Sequence, residues 1–532
     1  MLKKPHNLLL ALFSGLLLSL AWFSPFTGFI FIALVPLLII EDRFASSPEM
    51  KRRKLKLTGL SYLVFFIWNL CVTWWVYFAS LGGACLAIIV NALLMCGVFM
   101  IFHNIRLRIN KPWTIWLLIP VWLAWEFGHT LWDLSWTWLT LGNVFAFQHN
   151  WVQWYEYTGV SGGSLWVLTV NILLFRLIKN ETLRLTKISL PLAVVALPII
   201  LSYGIKGLAD INITLPKKPV NIVIVQPNVD PYNEKFFVEP EIQLNNLLKL
   251  IDGKVDSQTD YLVLPETFLT ENIWENELNE SLSIRFLREN ILRKFPQLRI
   301  ITGASTMRLF KPGEVVSSTA RKFTDANAYY DFFNTALQLD TSQVIGIYHK
   351  SKLVPGVERM PFPALLKPLE KLAIDMGGTM GSLGTQEERT VFFNTDKSHG
   401  IAPVVCYESV YGDYVSEYVR NGANLIFIIT NDGWWEDTPG YKQHLAYGTL
   451  RAIETRCPIA RSANTGISCF IDQFGDISQP TAWWEPAVIK GSLVPAHEKT
   501  LFVKVGDLIS RISVIIALLA AIFSQYLRFK KR

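Results

Sequence analysis

Eight uninterrupted apolar stretches, more than any motif, limit what this chain can fold into. They run Leu8–Phe23, Gly28–Ile40, Leu57–Tyr77, Ala84–Phe102, Trp113–Phe127, Ser164–Phe175, Ile188–Tyr203 and Leu508–Phe523. A helix needs about 20 apolar residues to cross a bilayer's hydrocarbon. Several stretches reach or approach that length, and those nearer a dozen, the second and sixth among them, read equally as buried or re-entrant segments. A charged share of 17%, against about 25% in ordinary soluble domains, agrees that much of the chain lives in lipid. The first stretch follows Lys3 and Lys4, but no small-x-small cleavage site comes after Trp22, so it reads as an uncleaved anchor and not as a signal peptide.

Basic residues then orient the spans. Lys and Arg crowd the N-terminal tail (Lys3, Lys4), the connections holding Arg43–Lys56, Arg106–Lys111 and Arg176–Lys187, and the tail Arg528–Arg532, while the alternate connections near Ser24–Phe26, Phe78–Gly82 and Gly128–Val160 have none. The positive-inside rule places both termini in the cytoplasm and the long segment 206–505 across the membrane. Three regions follow: 1–205 with seven spans, 206–505 as an extramembrane domain, and 506–532 as the last span and tail. The formal charge of +7 is therefore a topology signal, and the outer segment taken alone is mildly acidic. Nucleic acid is excluded as a partner on this ground.

Within 206–505 the texture changes to short β-branched runs punctuated by Pro, Gly, Asn and Asp. Strands are predicted at Asn221–Val225, Tyr261–Leu264, Arg299–Gly303, Thr335–Leu339, Val344–Tyr348, Ile401–Val405, Asn424–Thr430, Pro458–Ala463 and Ser468–Asp472, with helices at Glu241–Ile251, Leu282–Lys294, Tyr411–Asn421 and Lys442–Arg456. This is an α/β layered pattern. Three strands end on a reactive side chain: Tyr261-Leu-Val-Leu-Pro-Glu266, Val344-Ile-Gly-Ile-Tyr-His-Lys350 and Ile401-Ala-Pro-Val-Val-Cys406. Strand ends are where open α/β sheets build sites. A thiol is nucleophilic as thiolate, a carboxylate can take its proton, and an ammonium favours thiolate and stabilises an oxyanion. Each residue alone has a plainer reading, as a buried cysteine, a helix-start carboxylate or a solvated lysine. Their recurrence at strand ends favours chemistry.

Leu-Pro-Glu266-Thr, Tyr348-His-Lys350 with Leu353-Val-Pro355, and Val405-Cys406-Tyr407-Glu408 resemble the Glu-Lys-Cys motifs of the nitrilase superfamily. Within it the chain resembles the apolipoprotein N-acyltransferases, through Thr430-Asn-Asp-Gly-Trp-Trp435, Gln443-His444, Arg451-Ala-Ile-Glu454, Arg461-Ser-Ala-Asn464-Thr-Gly466 and the membrane segments Trp122–Glu126, Trp138–Gly142 and Gly159–Gly162 with Asn171. The resemblance spans essentially the whole chain. It implies an eight-helix transmembrane bundle plus an α-β-β-α nitrilase-like sandwich on the periplasmic side of a bacterial inner membrane. It also implies a ping-pong transfer. Cys406 would take an acyl chain from a phospholipid donor as a thioester and pass it to the α-amino group of a diacylated apolipoprotein. Glu266 would act as base and then acid, Lys350 would hold the oxyanion, and Glu358, Tyr407 and Glu408 would support them. Substrate contacts are expected at Trp138, Phe236, Trp434 and Trp435. For Trp138 the interfacial aromatic belt is the default explanation and an acyl-chain contact the minority one. The sequence departs from the family at Lys350-Ser-Lys352-Leu-Val-Pro-Gly-Val-Glu358, where the family reads Lys-x-His-Leu-Val-Pro-Phe-Gly-Glu, and at Phe236, where the family has tryptophan.

Other signals are set aside. Gly159-Val-Ser161-Gly-Gly163 fits a serine elbow literally but opens an apolar helix instead of following a strand. His349 alternates to the strand face opposite Lys350. Six cysteines without C-x-x-C spacing, and no H-E-x-x-H, give no reason to expect a metal or cofactor. The chain is expected to act as a monomer. Two rivals remain: a membrane-anchored amidase or nitrile hydrolase using the same three residues with water as acceptor, and a transporter or receptor whose outer domain only binds.

Overall fold

The computed structural model describes residues 6–47, 51–179, 185–211, 218–235, 237–360, 362 and 382–530. The chain divides into two compact units, Met1–Tyr77 with Gly83–Asn212 and Val505–Arg532, and Phe78–Gly82 with Ile213–Lys504.

The first unit is helical. Among the described residues five helices are long and apolar enough to cross a membrane: Arg53–Thr73, Leu81–Ile109, Val160–Lys179, Ile188–Leu208 and Leu508–Lys530, with Asn7–Ala21 apolar but shorter. The stretch Gly28–Ile40 is not one helix. It breaks at Leu34 between Ile30–Ala33 and Val35–Ala45, with Pro36 in the first turn of the latter, where its missing N–H costs nothing. The Leu34 N–H at the break donates to Asn171 Oδ1 at 2.8 Å, and Asn171 Nδ2 donates to the Ile30 carbonyl at 2.9 Å. Unsatisfied backbone is costly in lipid, so this buried asparagine makes the break tenable. Trp113–Phe127 likewise starts as a 3₁₀ segment, Pro112–Leu117, before the helix Leu118–Gly128. Pro198 lies inside the helix Leu185–Ile211 and cannot donate to the Val194 carbonyl; the Trp166 indole N–H does so instead, at 2.7 Å. Leu508–Lys530 packs on Leu118–Gly128 and on Asn91–Ile109. Charges tie three helices: Glu41 pairs with His103 and Arg106, and Asp42 with Arg106 at 2.8 Å and Lys179 at 2.7 Å.

The second unit holds two sheets. The first contains β1 (Val220–Gln226), β2 (Tyr261–Val263), β3 (Leu269–Trp274), β4 (Arg299–Leu309), β5 (Arg321–Lys322), β6 (Tyr329–Leu339) and β7 (Gly346–His349). The second contains β8 (Phe392–Phe393), β9 (Gly400–Val405), β10 (Leu425–Thr430), β11 (Ile459–Ala463), β12 (Cys469–Ile471) and β13 (Ile477–Ser478), and β14 (Ala487–Leu493) returns to the first. The first sheet is ordered β14-β1-β2-β4-β6-β5, with β3 beside β4 and β7 beside β6; the second runs β13-β12-β11-β10-β9-β8. Alternation along the strands sorts the layers. Val223, Val225, Leu262, Leu264, Ile300, Leu337 and Leu339 face a core shared with Leu244, Leu247, Ile284 and Leu287 of the helices Pro240–Ile251 and Leu282–Leu287. From the other face Tyr261 meets Phe427 of β10 at 5.3 Å, and the Ser462 hydroxyl of β11 donates to the Val225 carbonyl at 2.8 Å. The helices Gly412–Arg420 and Pro439–Thr455 pack on the second sheet, at β9 and β12. The result is an α/β fold of two sheets faced by helices, with the strands of the second sheet's centre buried on both sides, as their unbroken apolar runs require.

All nine predicted strands and four helices are present, with shifted ends. Five strands the pattern did not suggest are the two-residue β5, β8 and β13, β3, interrupted by Glu271 and Asn272, and β14, where Lys490-Gly491 breaks the alternation on a largely half-exposed edge.

Candidate active site

β2, β7 and β9 each run out at one region, and Glu266, Lys350 and Cys406 stand just past their ends. The Lys350 ammonium is 1% exposed and donates to Glu266 Oε1 at 2.9 Å and to Glu358 Oε1 at 2.7 Å. Asn334 of β6 donates to the same Glu266 oxygen at 2.8 Å, and its carbonyl accepts the Lys350 backbone N–H at 2.8 Å. Glu358 Oε2 is fixed in turn by the Val354 N–H at 2.8 Å. Thus the altered Lys350–Glu358 segment still brings its carboxylate to the lysine.

Cys406 opens the 3₁₀ turn Cys406–Val410 directly after β9, at φ +50°, a left-handed conformation uncommon outside glycine. Its thiol hydrogen-bonds with the Thr430 hydroxyl, which donates on to Asp432 at 2.9 Å. Burial, then the Glu266 charge, push the thiol pKa up, while Lys350 opposes them. Burial alone would lower the Lys350 pKa, but Glu266 and Glu358 hold it well above the ordinary lysine range. For Glu266 burial works upward, and Lys350 and Lys235 outweigh it, so the carboxyl lies below its usual range. The resting arrangement is therefore a neutral thiol beside a carboxylate flanked by cations. Such a site has a proton acceptor ready and positive charge waiting for a developing anion.

Glu408 lies beneath, fully buried. Its Oε2 accepts the Val405 N–H at 2.9 Å, and its Oε1 accepts the Ser351 N–H at 2.7 Å and the Tyr348 and Tyr414 hydroxyls at 2.6 and 2.8 Å. One carboxylate thus registers the end of β9 against the end of β7, and with them Cys406 against Lys350. Tyr407 is buried against Tyr411. His349 turns away to Glu275 at 2.6 Å and stacks on Phe333.

Trp434 and Trp435, half-buried, end the 3₁₀ turn Asp432–Trp435. Tyr232 meets the Trp434 ring edge-on and donates to its carbonyl at 2.9 Å; Trp435 packs edge-on against His444. Trp138 belongs to the helical unit, where it is fully buried against Trp75 and Trp136. Phe236 lies outside the described residues, as do residues 361 and 363–381, most of the Pro-, Gly-, Met- and Leu-rich segment 354–381.

Sequence reasoning missed several members of this site. Asn334 fell before the strand predicted at Thr335, because Asp331 and Asn334 interrupt what is one strand from Tyr329. Lys235 is buried in a turn without any apolar run to mark it. Asp432, His444 and Arg461 were noted only as parts of longer motifs. They form a buried cluster in which Asp432 pairs with Arg461 at 2.7 Å and with His444 Nδ1 at 3.0 Å, and His444 Nε2 lies 3.1 Å from the Cys406 carbonyl. Burial would raise the Asp432 pKa, but Arg461 and His444 bring it down to about 2.

Comparison with known proteins agrees with this architecture. Residues 224–498 match the carbon-nitrogen hydrolase family model, and residues 14–173 match the apolipoprotein N-acyltransferase N-terminal domain. An apolipoprotein N-acyltransferase of Chlorobaculum tepidum is 29% identical, over 98% of this chain and 97% of its own length. One of Geobacter metallireducens is 27% identical, over 94% and 92%. Saccharomyces cerevisiae Nit3, a solved member of branch 10 of the nitrilase superfamily, is 14% identical over 52% of this chain and 91% of its own, with a TM-score of 0.37, a likeness too loose to add weight. With the first match covering just over half of its length, and the second adding the membrane part, the chain belongs to the carbon-nitrogen hydrolase family and, within it, to the apolipoprotein N-acyltransferases.

Proposed function

We propose that this membrane enzyme N-acylates lipoproteins, transferring an acyl chain from a phospholipid to the α-amino group of a diacylglyceryl-cysteine at the start of an apolipoprotein, the last step of lipoprotein maturation. The observation that carries the reading is Cys406 on its left-handed turn beside Glu266 and a Lys350 held between two carboxylates, in a chain whose described residues include five membrane-length helices.

The reaction runs in two steps. Glu266 takes the Cys406 proton as the sulfur attacks the ester carbonyl. Lys350 and the Tyr407 backbone N–H meet the oxyanion, and collapse releases a lysophospholipid, whose leaving oxygen takes the proton from Glu266. The amine then attacks the thioester, Glu266 accepts its proton, and the thiolate leaves and is reprotonated. A thioester is reactive enough to acylate nitrogen, and excluding water limits its hydrolysis. Glu358 orients Lys350 and Glu408 sets the two strand ends. Trp434, Trp435, Trp138 and Phe236 supply lipid or lipopeptide contacts. The chain crosses a bacterial inner membrane eight times, 1–205 holding seven spans and 506–532 the last. Both termini are cytoplasmic, 206–505 is periplasmic, and the enzyme works as a monomer.

The test is to incubate the full-length protein with phospholipid and look by mass spectrometry for an acyl adduct on Cys406, then supply a diacylated lipopeptide. The adduct should form and discharge onto the peptide amine, and Cys406→Ala should abolish both. N-acylation by the alanine variant would refute the mechanism. A small-amide hydrolase would show no long-chain adduct.

A further inference from the structure

Lys235, a buried cation, has no task in the proposed transfer. Lys235 is 2% exposed, its N–H bonded to the Asp230 carbonyl at 2.8 Å and its own carbonyl held by Gln243 Nε2 at 2.9 Å. Asn464 anchors the same loop through the Val229 carbonyl at 2.7 Å. With its stem fixed, the ammonium donates to the Glu266 carbonyl at 2.8 Å and to the Thr267 hydroxyl at 2.6 Å. Thr267 has φ +47°, a left-handed conformation that a β-branched residue adopts only when its surroundings impose it. Gly303 touches this turn too, its N–H on the Pro265 carbonyl at 3.1 Å.

We infer that Lys235 is a positioning residue of this site: it clamps the Glu266–Thr267 turn that aims the carboxylate, and it adds a second positive charge, beside that of Lys350, acting on Glu266 and Cys406. The inference rests on Glu266 and Cys406 being the reacting pair. Burial lowers the Lys235 pKa to about 8, against the pull of Glu266 and Cys406, two ionisable groups that face it. The ammonium is therefore mostly charged at pH 7 and mostly neutral at pH 9. A positive charge lowers the thiolate's free energy, and one unit of thiol pKa is a tenfold change in thiolate.

The experiment alkylates full-length enzyme in detergent with iodoacetamide, reading the Cys406 peptide by mass spectrometry because Cys71 and Cys85 are also accessible. Lys235→Met should slow alkylation of Cys406 about tenfold at pH 7, the deficit closing by pH 9, and Lys235→Arg should restore the rate at pH 7. An unchanged rate in a folded methionine variant overturns the inference, as does an equal loss at both pH values, which a displaced turn alone would give. If the methionine variant does not fold, Lys235→Arg carries the test: it keeps its charge at pH 9 and should react several-fold faster there than the parent, and equal rates overturn the inference. Residual N-acylation by Cys406→Ala would sink the proposed transfer separately, since alkylation reports on the sulfur whatever the natural substrate.

Discussion

Gly303 offers a sharp test of how the site is held. A Cβ built on it would lie 2.3 Å from the Thr267 nitrogen and 2.6 and 2.7 Å from the Glu266 Cα and carbonyl carbon, all backbone atoms that cannot swing aside. Reaching an ordinary 3.4 Å contact requires the Glu266–Thr267 turn, or β4 itself, to move by about 1 Å. Overpacking of this kind costs about 1–3 kcal/mol of stability. The catalytic consequence is larger, because a misplacement of about 1 Å can cost about 100-fold in rate. Gly303→Ala should therefore give a folded enzyme with a modestly lower melting temperature and about a hundredfold loss of kcat for lipopeptide N-acylation. Gly448→Ala is the control: its Cβ meets nothing closer than 3.4 Å and it sits within a helix, where alanine is favoured. A folded Gly303→Ala enzyme within threefold of parental kcat would refute the reasoning, because the carboxylate would then tolerate a shift that the packing makes unavoidable.

Two further outcomes follow from the same geometry. Glu358→Gln removes one of two carboxylates from Lys350; a buried charge-assisted hydrogen bond is worth about 1.5–3 kcal/mol, so kcat should fall by about 10- to 150-fold with KM little changed, and a rise in KM alone would contradict the assigned role. Asp432, held down to about 2 by Arg461 and His444 despite its burial, adds stability that is complete above about pH 4 and lost as the pH falls towards 2, amounting to about 2 kcal/mol. The difference in unfolding midpoint between the parent and Asp432→Asn should therefore narrow on acidification from pH 5 to pH 2.5, and a constant difference would rule this out.

How much of the site could be read in advance depended on whether local pattern and tertiary position coincide. Glu266, Lys350 and Cys406 were legible because each ends an apolar run, and a strand must deliver its last side chain to the sheet's rim. Glu358 was found through the family motif even though Gly356-Val357 replaces the usual Phe-Gly, since the backbone bonds from Val354 keep the carboxylate in reach. Lys235 could not be found this way. Its burial is created by contacts with residues some thirty positions away in a separate turn, and a lysine in a polar stretch looks solvated until those contacts exist. The break at Leu34 was hidden for a similar reason: composition shows an apolar run of suitable length, while the partner that permits the interruption, Asn171, sits over a hundred residues downstream. β14 was obscured because an edge strand needs to satisfy only one neighbour, so its pattern is weakly constrained.

The helix Leu508–Lys530 packs against Leu118–Gly128 and Asn91–Ile109, the latter part of a membrane-length helix. A ribosome making this chain inserts those earlier helices long before their last neighbour is translated, with every residue of both sheets still to come. Until then the flank of Leu118–Gly128 has only lipid or an insertion factor to cover it. Stop codons late in the gene would thus yield a product with every catalytic side chain encoded and a membrane half left open along one seam, a natural substrate for quality-control proteolysis.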